Sequence, residues 1–243
     1  MRYGIFSDAH GNEQALAVIV PHLKSLELDE IIFLGDAVGY GANPNEACNA
    51  IRALASQSVL GNHDAAVCAR MDYSDYYDAA RQALDWCASQ LSEENLAWLR
   101  GLSYKVRCEY IDFSHGSPLV PEEFDYIFAP EQLIDLLPYY DEFAPVTFIG
   151  HSHLTISFKL QRDRVTPLLL SEIHCDPSAK YIITVGSAGQ PRDRDPRASC
   201  GVFDSVTRVF KFHRLAYDNE TARKRIIDAG LAPAFGARLL VGM

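Results

Sequence analysis

The sequence predicts an α/β fold, and three features of the chain support this prediction. Residues 3–34 have the order strand, helix, strand, which is typical of a βαβ unit with parallel strands. From about Ser103 onward, short apolar runs of β type replace the long helical patterns. Polar residues directly follow several apolar runs in the first 153 residues. In open α/β sheets, ligands bind at such carboxyl ends of strands.

The composition is that of a globular protein with an acidic surface. The chain has 243 residues, of which 48% are hydrophobic and 22% charged, with a formal net charge of −10. We see no internal repeat or linker, and the motifs interleave over residues 8–153, so we predict a single domain at 1–243. The negative charge makes duplex nucleic acid an unlikely partner. Bound metal cations would reverse that sign locally.

Cysteine usage and the first residues bear on the cellular compartment. The six cysteines are scattered without a C-x-x-C motif, which favours reduced thiols that fill the core. Residues 1–6 already form a strand pattern that runs into polar Ser7-Asp8, so we expect no signal peptide. No apolar run reaches the length of a membrane span. We therefore expect a soluble, cytoplasmic protein with no membrane partner.

The first sixty residues predict three strands and two helices. We expect strands at residues 3–6, 30–34 and 58–60, and helices at 13–26 and 44–56. Pro21 lies inside the first helical pattern, so a kink or break is expected there. Pro44 suits the first turn of the second helix.

Helices precede a β-rich second half. A stripe from Tyr76 to Cys87 predicts one helix, and Ser92 as N-cap and Gly101 as terminator bound another. We expect strands at 106–113 and 145–149, helices at 130–137 and 221–229, and an antiparallel meander of strands at 156–160, 166–170, 180–185, 200–203 and 209–212. The tail to Met243 is expected to be a short helix or extended.

Five polar clusters follow apolar runs and contain five of the eight histidines. They are Asp8-Ala9-His10, Gly35-Asp36, Gly61-Asn62-His63-Asp64, His115-Gly116 and Gly150-His151-Ser152-His153. Carboxylate, imidazole and amide ligands without thiolate suit catalytic Mn²⁺, Fe or Zn²⁺. Seven candidate ligands exceed the need of one open metal site, whereas two metals about 3.5–4 Å apart that share a carboxylate would use them all. One histidine, His63, then remains for acid–base chemistry.

This ordered series resembles the calcineurin-like metallophosphoesterase superfamily over residues 8–153. The segments at 7–12, 35–41 and 186–192 are similar to its small bacterial and archaeal phosphodiesterase-like branch. The resemblance implies a four-layer α/β/β/α sandwich, in which two mixed β-sheets are flanked by helices and the metal site lies at one end.

The resemblance also implies a role for each motif residue. One metal would be held by Asp8, His10 and His153, and the other by Asn62, His115 and His151. Asp36 would bridge the two ions together with a water or hydroxide that attacks phosphorus in line. His63 would lie over the leaving oxygen as the catalytic acid. The cofactors would be two divalent ions, Mn²⁺ first, with Fe or Zn²⁺ as alternatives.

One departure from the family bears on the substrate. In the phosphoprotein-phosphatase branch, an Asp and then an Arg follow the second motif, whereas this chain has Gly39 and Tyr40 there. This argues against a phosphoserine phosphatase of that type and removes the usual partner of the catalytic histidine. Asp64 is left with two readings, a contact that holds the His63 ring or a loop cap.

Three residues are candidates for substrate binding, each with a structural alternative. Asn12 and Tyr40 flank ligand loops, although Asn12 also suits a helix cap. Arg192 is the best phosphate ligand of three arginines, with Arg194 and Arg197, but Asp193 and Asp195 offer local ion pairs. The tyrosines at 73, 76 and 77 either stack on a base or, more simply, pack a helix. His22, His174 and His213 match no motif and are expected to be solvated or locally bonded.

The predicted function is hydrolysis of a small phosphoester by a dinuclear metal centre, with a phosphodiester as the favoured substrate. Three alternatives stay open: a noncatalytic metal-binding scaffold of the same fold, a phosphomonoesterase and a nuclease. The net charge of −10 lowers the last of these.

Overall fold

The computed structural model describes residues 1–243 and contains two six-stranded sheets. The strands are β1 (Arg2–Phe6), β2 (Glu30–Phe33), β3 (Gln57–Ser58), β4 (Lys105–Cys108), β5 (Ile111–Ser114), β6 (Val146–Ile149), β7 (Ser157–Gln161), β8 (Arg164–Leu168), β9 (Glu172–His174), β10 (Lys180–Thr184), β11 (Ala198–Asp204) and β12 (Val209–Leu215). The helices are α1 (Glu13–Ser25), α2 (Pro44–Leu54), α3 (Asn62–Val67), α4 (Asp78–Gln90), α5 (Glu93–Arg100), α6 (Pro130–Ile134), α7 (Asn219–Asp228) and α8 (Pro233–Val241), with 3₁₀ turns at Pro121–Glu123 and Leu137–Glu142.

The first sheet joins the amino-terminal βαβ units to a carboxyl-terminal hairpin. Its order is β3-β2-β1-β11-β12-β9. β1, β2 and β3 are parallel, with Ile5 opposite Ile32 and Phe33 opposite Ser58. β11 pairs with β1 and with β12 in antiparallel fashion, and β12 pairs antiparallel with β9. The sheet is therefore mixed, with its parallel half at the start of the chain.

The second sheet is also mixed, with the order β4-β5-β6-β10-β7-β8. β5, β6 and β10 are parallel, as the pairs Phe113–Phe148 and Ile183–Phe148 show. β4, β7 and β8 add to this core in antiparallel fashion. Each sheet thus contains three parallel strands, and the carboxyl ends of these strands define one end of the sheet.

Alternating side chains divide the core into layers. In β1, Tyr3 and Ile5 face the second sheet, whereas Phe6 packs with the helices on the outer side. In β10, Tyr181 and Ile183 belong to the cluster between the sheets, whereas Ile182 packs outward with Leu133 of α6. This period of two buries both faces of each sheet. The predicted four-layer α/β/β/α sandwich of two mixed sheets is confirmed.

The predicted antiparallel meander is wrong. Its strands divide between the two sheets, since β7, β8 and β10 lie in the second sheet and β11 and β12 lie in the first. β10 moreover pairs in parallel with β6. The short strand β9, which the sequence did not indicate, closes the edge of the first sheet. Pairing between distant strands decided this topology, and local periodicity carries no record of it.

Several local predictions also needed correction. α1 is not interrupted at Pro21 and runs on to Ser25. β3 is only Gln57–Ser58, and fully buried Val59 forms an isolated parallel bridge with Ser103. The helix expected at 130–137 is α6 followed by a 3₁₀ turn, and the tail forms α8.

Other expectations are confirmed. The side chain of Ser92 accepts a hydrogen bond from the backbone N–H of Asn95, and α5 ends before Gly101. All six cysteines are free, and only Cys108 is not fully buried. The Nε2 of His22 contacts the Nδ1 of His213 at 2.9 Å, so these two histidines are locally bonded. Separately from these expectations, no helix combines the length and the apolar character needed to cross a bilayer.

Candidate metal centre

The predicted ligands meet at the carboxyl ends of the parallel strands. Asp8 and His10 follow β1, Asp36 follows β2, and Asn62 follows β3 in the first sheet. His115 follows β5, and His151 and His153 follow β6 in the second sheet. All seven side chains are buried, with at most 5% of their surface exposed. The loops at the ends of the two sheets therefore bring together every ligand that the sequence predicted.

The first group of ligand atoms comes from Asp8, His10 and His153. The Nε2 atoms of His10 and His153 are 3.0 Å apart. The Oδ1 of Asp8 lies 3.4 Å from Nε2 of His153 and 3.9 Å from Nε2 of His10. Two ligands that bind one ion at about 2.1 Å lie roughly 3 Å or more apart, so these separations suit a shared ion.

The second group comes from Asp36, His115 and His151, with Asn62 beside it. The Nε2 of His115 is 3.3 Å from Oδ2 of Asp36 and 3.1 Å from Oδ1 of Asn62. The same Oδ2 of Asp36 is 3.7 Å from Nε2 of His10, which belongs to the first group. Asp36 therefore lies between the two groups, where a carboxylate could contact two ions.

The tautomers of three histidines are fixed by backbone carbonyls. The Nδ1 of His10 is 3.0 Å from the carbonyl oxygen of Val38, and the Nδ1 of His153 is 2.6 Å from that of Gln190. The Nδ1 of His115 is 2.7 Å from the carbonyl oxygen of Leu34. A carbonyl only accepts, so each Nδ1 carries a proton and each ring points its Nε2 into the centre.

The Nε2 lone pairs of His10 and His153 face each other, and this contact shows whether a cation fits the first ligand group. Burial lowers the pKa of His10 and of His153 well below the usual value, so both rings are neutral near pH 7. In both neutral rings the Nδ1 proton is donated to a backbone carbonyl. The two Nε2 atoms are therefore both acceptors, and they lie 3.0 Å apart. Such a contact is repulsive unless a cation lies between the nitrogens. The donor set therefore fits a divalent metal ion.

The charges around Asp36 point the same way. Burial opposes the charge of the Asp36 carboxylate, but His115 and His63 outweigh it, and its pKa is well below the usual value. Burial likewise opposes a charge on His115, yet the neighbouring Asp36 and Asp8 raise its pKa to about 9. The carboxylates thus demand a positive charge at this position, which a proton or a metal ion supplies.

A tyrosine orients the amide of Asn62. The Nδ2 of Asn62 donates to the hydroxyl oxygen of Tyr76 at 2.7 Å, which leaves Oδ1 turned toward His115. The sequence offered two readings for Tyr76, base stacking or helix packing. The structure adds a contact to a candidate ligand. Tyr73 bonds instead to Asp85.

Backbone strain is concentrated at this site. Eleven non-glycine residues of the chain have positive φ, and five of them are the candidate ligands Asp8, His10, Asp36, His151 and His153. This left-handed conformation costs about 1 kcal/mol or more for a residue other than glycine. Strain of this kind persists where the surrounding structure imposes it and is common at functional sites.

Asp64 caps a loop and does not hold the ring of His63. Its carboxylate accepts from the backbone N–H of Asp36 at 2.8 Å, of Gly61 at 3.2 Å and of Val38 at 3.3 Å. These bonds tie the loop after β2 to the first turn of α3. Of the two readings that the sequence left open for Asp64, the loop cap is the one observed.

His63 lies between aromatic rings over the second motif. Its ring centroid is 4.6 Å from that of Tyr40 and 5.0 Å from that of His10. Its backbone N–H donates to Oδ1 of Asp36 at 2.9 Å, whereas its buried Nδ1 has no hydrogen-bond partner. His63 also forms a third possible ligand group with His10 and Asp36. The side chain is thus within reach of the centre but free of other bonds.

Arg192 and two tyrosines border the entrance to the centre. The Nη2 of Arg192 donates to Oε1 of Gln190 at 2.8 Å, and its buried Nε has no partner. Its guanidinium carbon lies 5.7 Å from the ring centroid of Tyr40. The ring of Tyr126 stacks on that of His151 at 3.7 Å and 19°. Sequence reasoning missed Tyr126, because it lies in a loop without a motif, far from its partner in the chain.

Asn12 and Arg197, two candidates for substrate binding, instead have structural roles. The Oδ1 of Asn12 caps α1 by accepting from the N–H of Ala15 at 3.0 Å, and its Nδ2 donates to the carbonyl of Gly189 at 2.7 Å. Asn12 therefore acts as the helix cap that the sequence offered as its alternative role. Arg197 pairs with Asp195 at 2.7 Å on an exposed turn. This local ion pair was the structural alternative for the arginine group.

Known proteins are similar to this chain in sequence, in fold or in both, over nearly its whole length. An uncharacterized protein of Methanocaldococcus jannaschii is 36% identical over 98% of this chain and 97% of its own. A metallophosphoesterase from Sphaerobacter thermophilus is 33% identical, with a TM-score of 0.85, over 100% of this chain and 99% of that one. A protein of Pyrococcus horikoshii, at 19% identity, shares the fold with a TM-score of 0.80 over 100% and 98%.

The family profile of the calcineurin-like phosphoesterase superfamily domain matches residues 1–208. That range includes every one of the five polar clusters and the two groups of ligand atoms described above. The chain belongs to the calcineurin-like phosphoesterase superfamily, as its ordered motifs predicted.

Proposed function

We propose that this protein is a dinuclear metal-dependent phosphodiesterase. The observation that carries the proposal is the position of Asp36, whose Oδ2 lies 3.7 Å from Nε2 of His10 and 3.3 Å from Nε2 of His115. One carboxylate oxygen within reach of both ligand groups is the arrangement that two ions sharing a bridge require. Membership of a phosphoesterase family supports the same chemistry.

The ligand roles follow from the two groups of atoms. Asp8, His10 and His153 would hold one ion, and Asn62, His115 and His151 the other, with Asp36 between them. When bound, the two cations supply Lewis-acid activation of water and neutralise phosphate charge. Nitrogen and oxygen donors without thiolate make Mn²⁺ our first choice, with Fe or Zn²⁺ as alternatives.

The chain's own residues would bind the phosphate and move the proton. His63 carries no hydrogen bond on its ring, and burial lowers its pKa to about 4. The negative charge of a bound phosphate would favour the protonated ring, which could then give a proton to the leaving oxygen. Arg192 has a buried, unpartnered Nε at the entrance and can donate to a phosphate oxygen. The ring of Tyr40 lies beside both His63 and Arg192. Asn12 would contribute indirectly, through the loop that it caps.

The residues that follow the second motif favour a diester over a phosphoprotein substrate. The charge of Arg192 acts on Asp8, His10 and His63 together, so this side chain is placed to assist the metal ions in binding one phosphate group. Gly39 and Tyr40 occupy the positions where a phosphoprotein phosphatase has Asp and Arg, which argues against that substrate.

Two further statements belong to this proposal. We propose that residues 1–243 form one domain, because β12 lies beyond the matched residues 1–208 yet pairs with both β11 and β9. We also propose a cytoplasmic location, since all six cysteines are free and five are buried.

The test is a panel of phosphomonoesters and phosphodiesters assayed with Mn²⁺, Fe²⁺, Zn²⁺ and Mg²⁺, beside metal analysis of the purified protein. We expect two metal ions per chain and turnover of bis-p-nitrophenyl phosphate that exceeds turnover of p-nitrophenyl phosphate. Fewer than one ion per chain after loading, with no turnover of any ester, would identify a noncatalytic scaffold. Cleavage of single-stranded DNA in preference to small diesters would identify a nuclease.

A further inference from the structure

A cavity of about 580 Å³ opens beside His63, outside the two ligand groups. Its wall includes Asn62, His63 and His151 of the centre, so it continues directly from the place where phosphate would bind. The other lining residues are Tyr40, Met71, Asp72, Asp75, Tyr76, Tyr77, Glu123, Phe124, Asp125 and Tyr126. A volume of 300–1,000 Å³ is usual for pockets that hold a small organic molecule.

Four tyrosine rings, together with Met71 and Phe124, form the apolar surface of this cavity. Tyr77 is 54% exposed and Tyr126 is 45% exposed. Large apolar groups left open to solvent beside a reactive centre are typical of binding surfaces. Tyr76 and Tyr126 already serve the centre through Asn62 and His151, whereas the hydroxyl of Tyr77 makes no hydrogen bond within the protein. Tyr77 is therefore the ring whose exposure no structural role explains.

The charged residues of the cavity are all acidic. Asp72, Asp75, Glu123 and Asp125 line it, and no lysine or arginine does. Asp72 accepts from the backbone N–H and the hydroxyl of Ser74. The side chains of the other three make no hydrogen bond or ion pair within the protein. Their negative charge therefore acts on whatever enters the cavity.

Building on the proposed phosphodiesterase activity, we propose that this cavity holds the leaving arm of the diester and selects a ring-bearing alcohol without negative charge, such as a nucleoside. The tyrosine faces would stack on the ring. The four carboxylates would repel an arm that carries a second phosphate, because like charges placed together are unfavourable. Arg192 does not line this cavity, so the one phosphate of the substrate is held on the metal side.

Orientation is tested with an asymmetric ester, adenosine 5′-(methyl phosphate). Hydrolysis with adenosine in the cavity breaks the bond from phosphorus to the 5′ oxygen. Water adds its hydroxyl group to phosphorus, the 5′ oxygen takes a proton from His63, and the proton that water loses restores His63. The expected products are adenosine and methyl phosphate, separated by chromatography. Adenosine 5′-phosphate and methanol as the main products would place the nucleoside elsewhere and overturn the proposal.

Charge selection is tested with the same ester bearing a 3′-phosphate. We expect its kcat/KM to be about tenfold lower than that of the parent ester, since the added phosphate faces the four carboxylates. In the triple variant Asp75→Asn, Glu123→Gln, Asp125→Asn, the ratio of kcat/KM for the parent ester to kcat/KM for its 3′-phosphate should fall to about two. Its matched control is Glu109→Gln, Glu142→Gln, Asp163→Asn, three exposed carboxylates outside the cavity. Equal ratios in the two triple variants would overturn the local charge effect.

Stacking is tested by measuring how tightly adenosine binds to the metal-loaded protein. Chemical-shift titration monitors the binding, and adenosine is not hydrolysed because it has no phosphoester. Tyr77→Ala should weaken binding about tenfold, in line with the loss of one stacked ring. Tyr139→Ala is the control, because Tyr139 is also exposed, at 51%, but lies outside the cavity. Unchanged binding in Tyr77→Ala would overturn the proposal.

These outcomes separate the cavity from the chemistry. Turnover of bis-p-nitrophenyl phosphate with no preference between the two adenosine esters would reject the cavity proposal and leave the phosphodiesterase intact. No turnover of any diester would reject the phosphodiesterase. The titration with adenosine would then decide by itself whether the cavity binds a nucleoside.

Discussion

Gly39 lies directly against the imidazole of His63. The position that a Cβ atom would take at residue 39 overlaps Nδ1 of that ring, and the backbone there has a φ of +93°. Glycine is the residue that accepts both conditions. In the phosphoprotein-phosphatase pattern this position carries Asp. In this chain the glycine instead allows the imidazole of His63 to pack directly against the main chain of residue 39.

We expect Gly39→Ala to lower kcat about 100-fold while the metal content stays at two ions per chain. The added methyl group would push His63 away from the leaving oxygen, and general acid–base catalysis contributes 10²–10⁴-fold to such reactions. Steady-state kinetics and metal analysis measure the two quantities.

The matched control is Gly230→Ala. Gly230 has a similar φ of +76°, but a Cβ atom there would meet nothing within 4 Å. Both variants should lose stability from the positive φ, and only Gly39→Ala should lose turnover. Equal losses of kcat would mean that strain, not displacement of His63, is responsible.

His63→Gln should retain both metal ions and lose most turnover, about 100-fold or more in kcat. Glutamine keeps hydrogen-bonding atoms near the site but does not give up a proton near neutral pH. The atoms of His63 also lie close enough to His10 and Asp36 to bind a metal, so the metal content is the informative second measurement. Loss of one ion per chain would make His63 a ligand.

Full activity of His63→Gln would remove His63 from the mechanism altogether. His174→Gln is the control substitution, since the side chain of His174 is 73% exposed and bonds only to Glu172. It should change neither the metal content nor kcat.

The sequence predicted the ligands better than the sheets, and the reason is physical. Each ligand directly follows an apolar run, so its place at a strand end is a local property, and Asp8 and His151 could be found without knowing which strands pair. The split of β7 to β12 between two sheets depends on distant pairings that short alternating runs do not encode. α3 was not predicted as a separate helix because it has only six residues and its N-cap, Gly61, has no side chain that could signal a helix start.

Contacts between side chains were the least predictable part of the site. Asp64 turned out to bond to three backbone N–H groups, and Tyr126 to stack on His151 from a loop 25 positions earlier in the chain. Such contacts arise once the loops have packed, so only the structure reveals them.

Tyr76→Phe should weaken about tenfold the binding of the metal ion that Asn62 is proposed to hold. Removal of the hydroxyl leaves Nδ2 of Asn62 without its acceptor at 2.7 Å, and the amide is then free to turn its oxygen away from His115. Loss of a partner that orients a ligand commonly costs 10–100-fold in metal affinity. Titration of the metal-free protein with Mn²⁺ would show the weaker site.

Tyr73→Phe is the matched control for that measurement. Its hydroxyl donates to Asp85 at 2.6 Å on the exposed side of the same segment, away from the ligands. Its metal affinity should equal that of the wild type. Equal weakening in both tyrosine variants would mean that the loop as a whole, and not the bond to Asn62, tunes the site.

Asp112 should make stability depend on pH in the acid range. The residue is fully buried in β5, where its carboxylate accepts from Nε of Arg107 at 2.5 Å and pairs with Nζ of Lys105 at 2.8 Å. Burial opposes its charge, but these two cations outweigh burial and hold the pKa below the usual value of 3.8. The folded state therefore binds this proton more weakly than the unfolded state does.

The stabilising effect of Asp112 is fully present above the pKa of the unfolded chain and is lost as pH falls through the lower folded pKa. Asp112→Asn should reduce the free energy of unfolding by about 2 kcal/mol at pH 7, a value typical of hydrogen bonds to a charged group. Urea unfolding of both proteins from pH 7 to pH 3 measures this. The difference should shrink toward pH 3, because protonation removes the charge that the variant lacks. A difference that stays constant with pH would show that packing, and not ionisation, accounts for the loss.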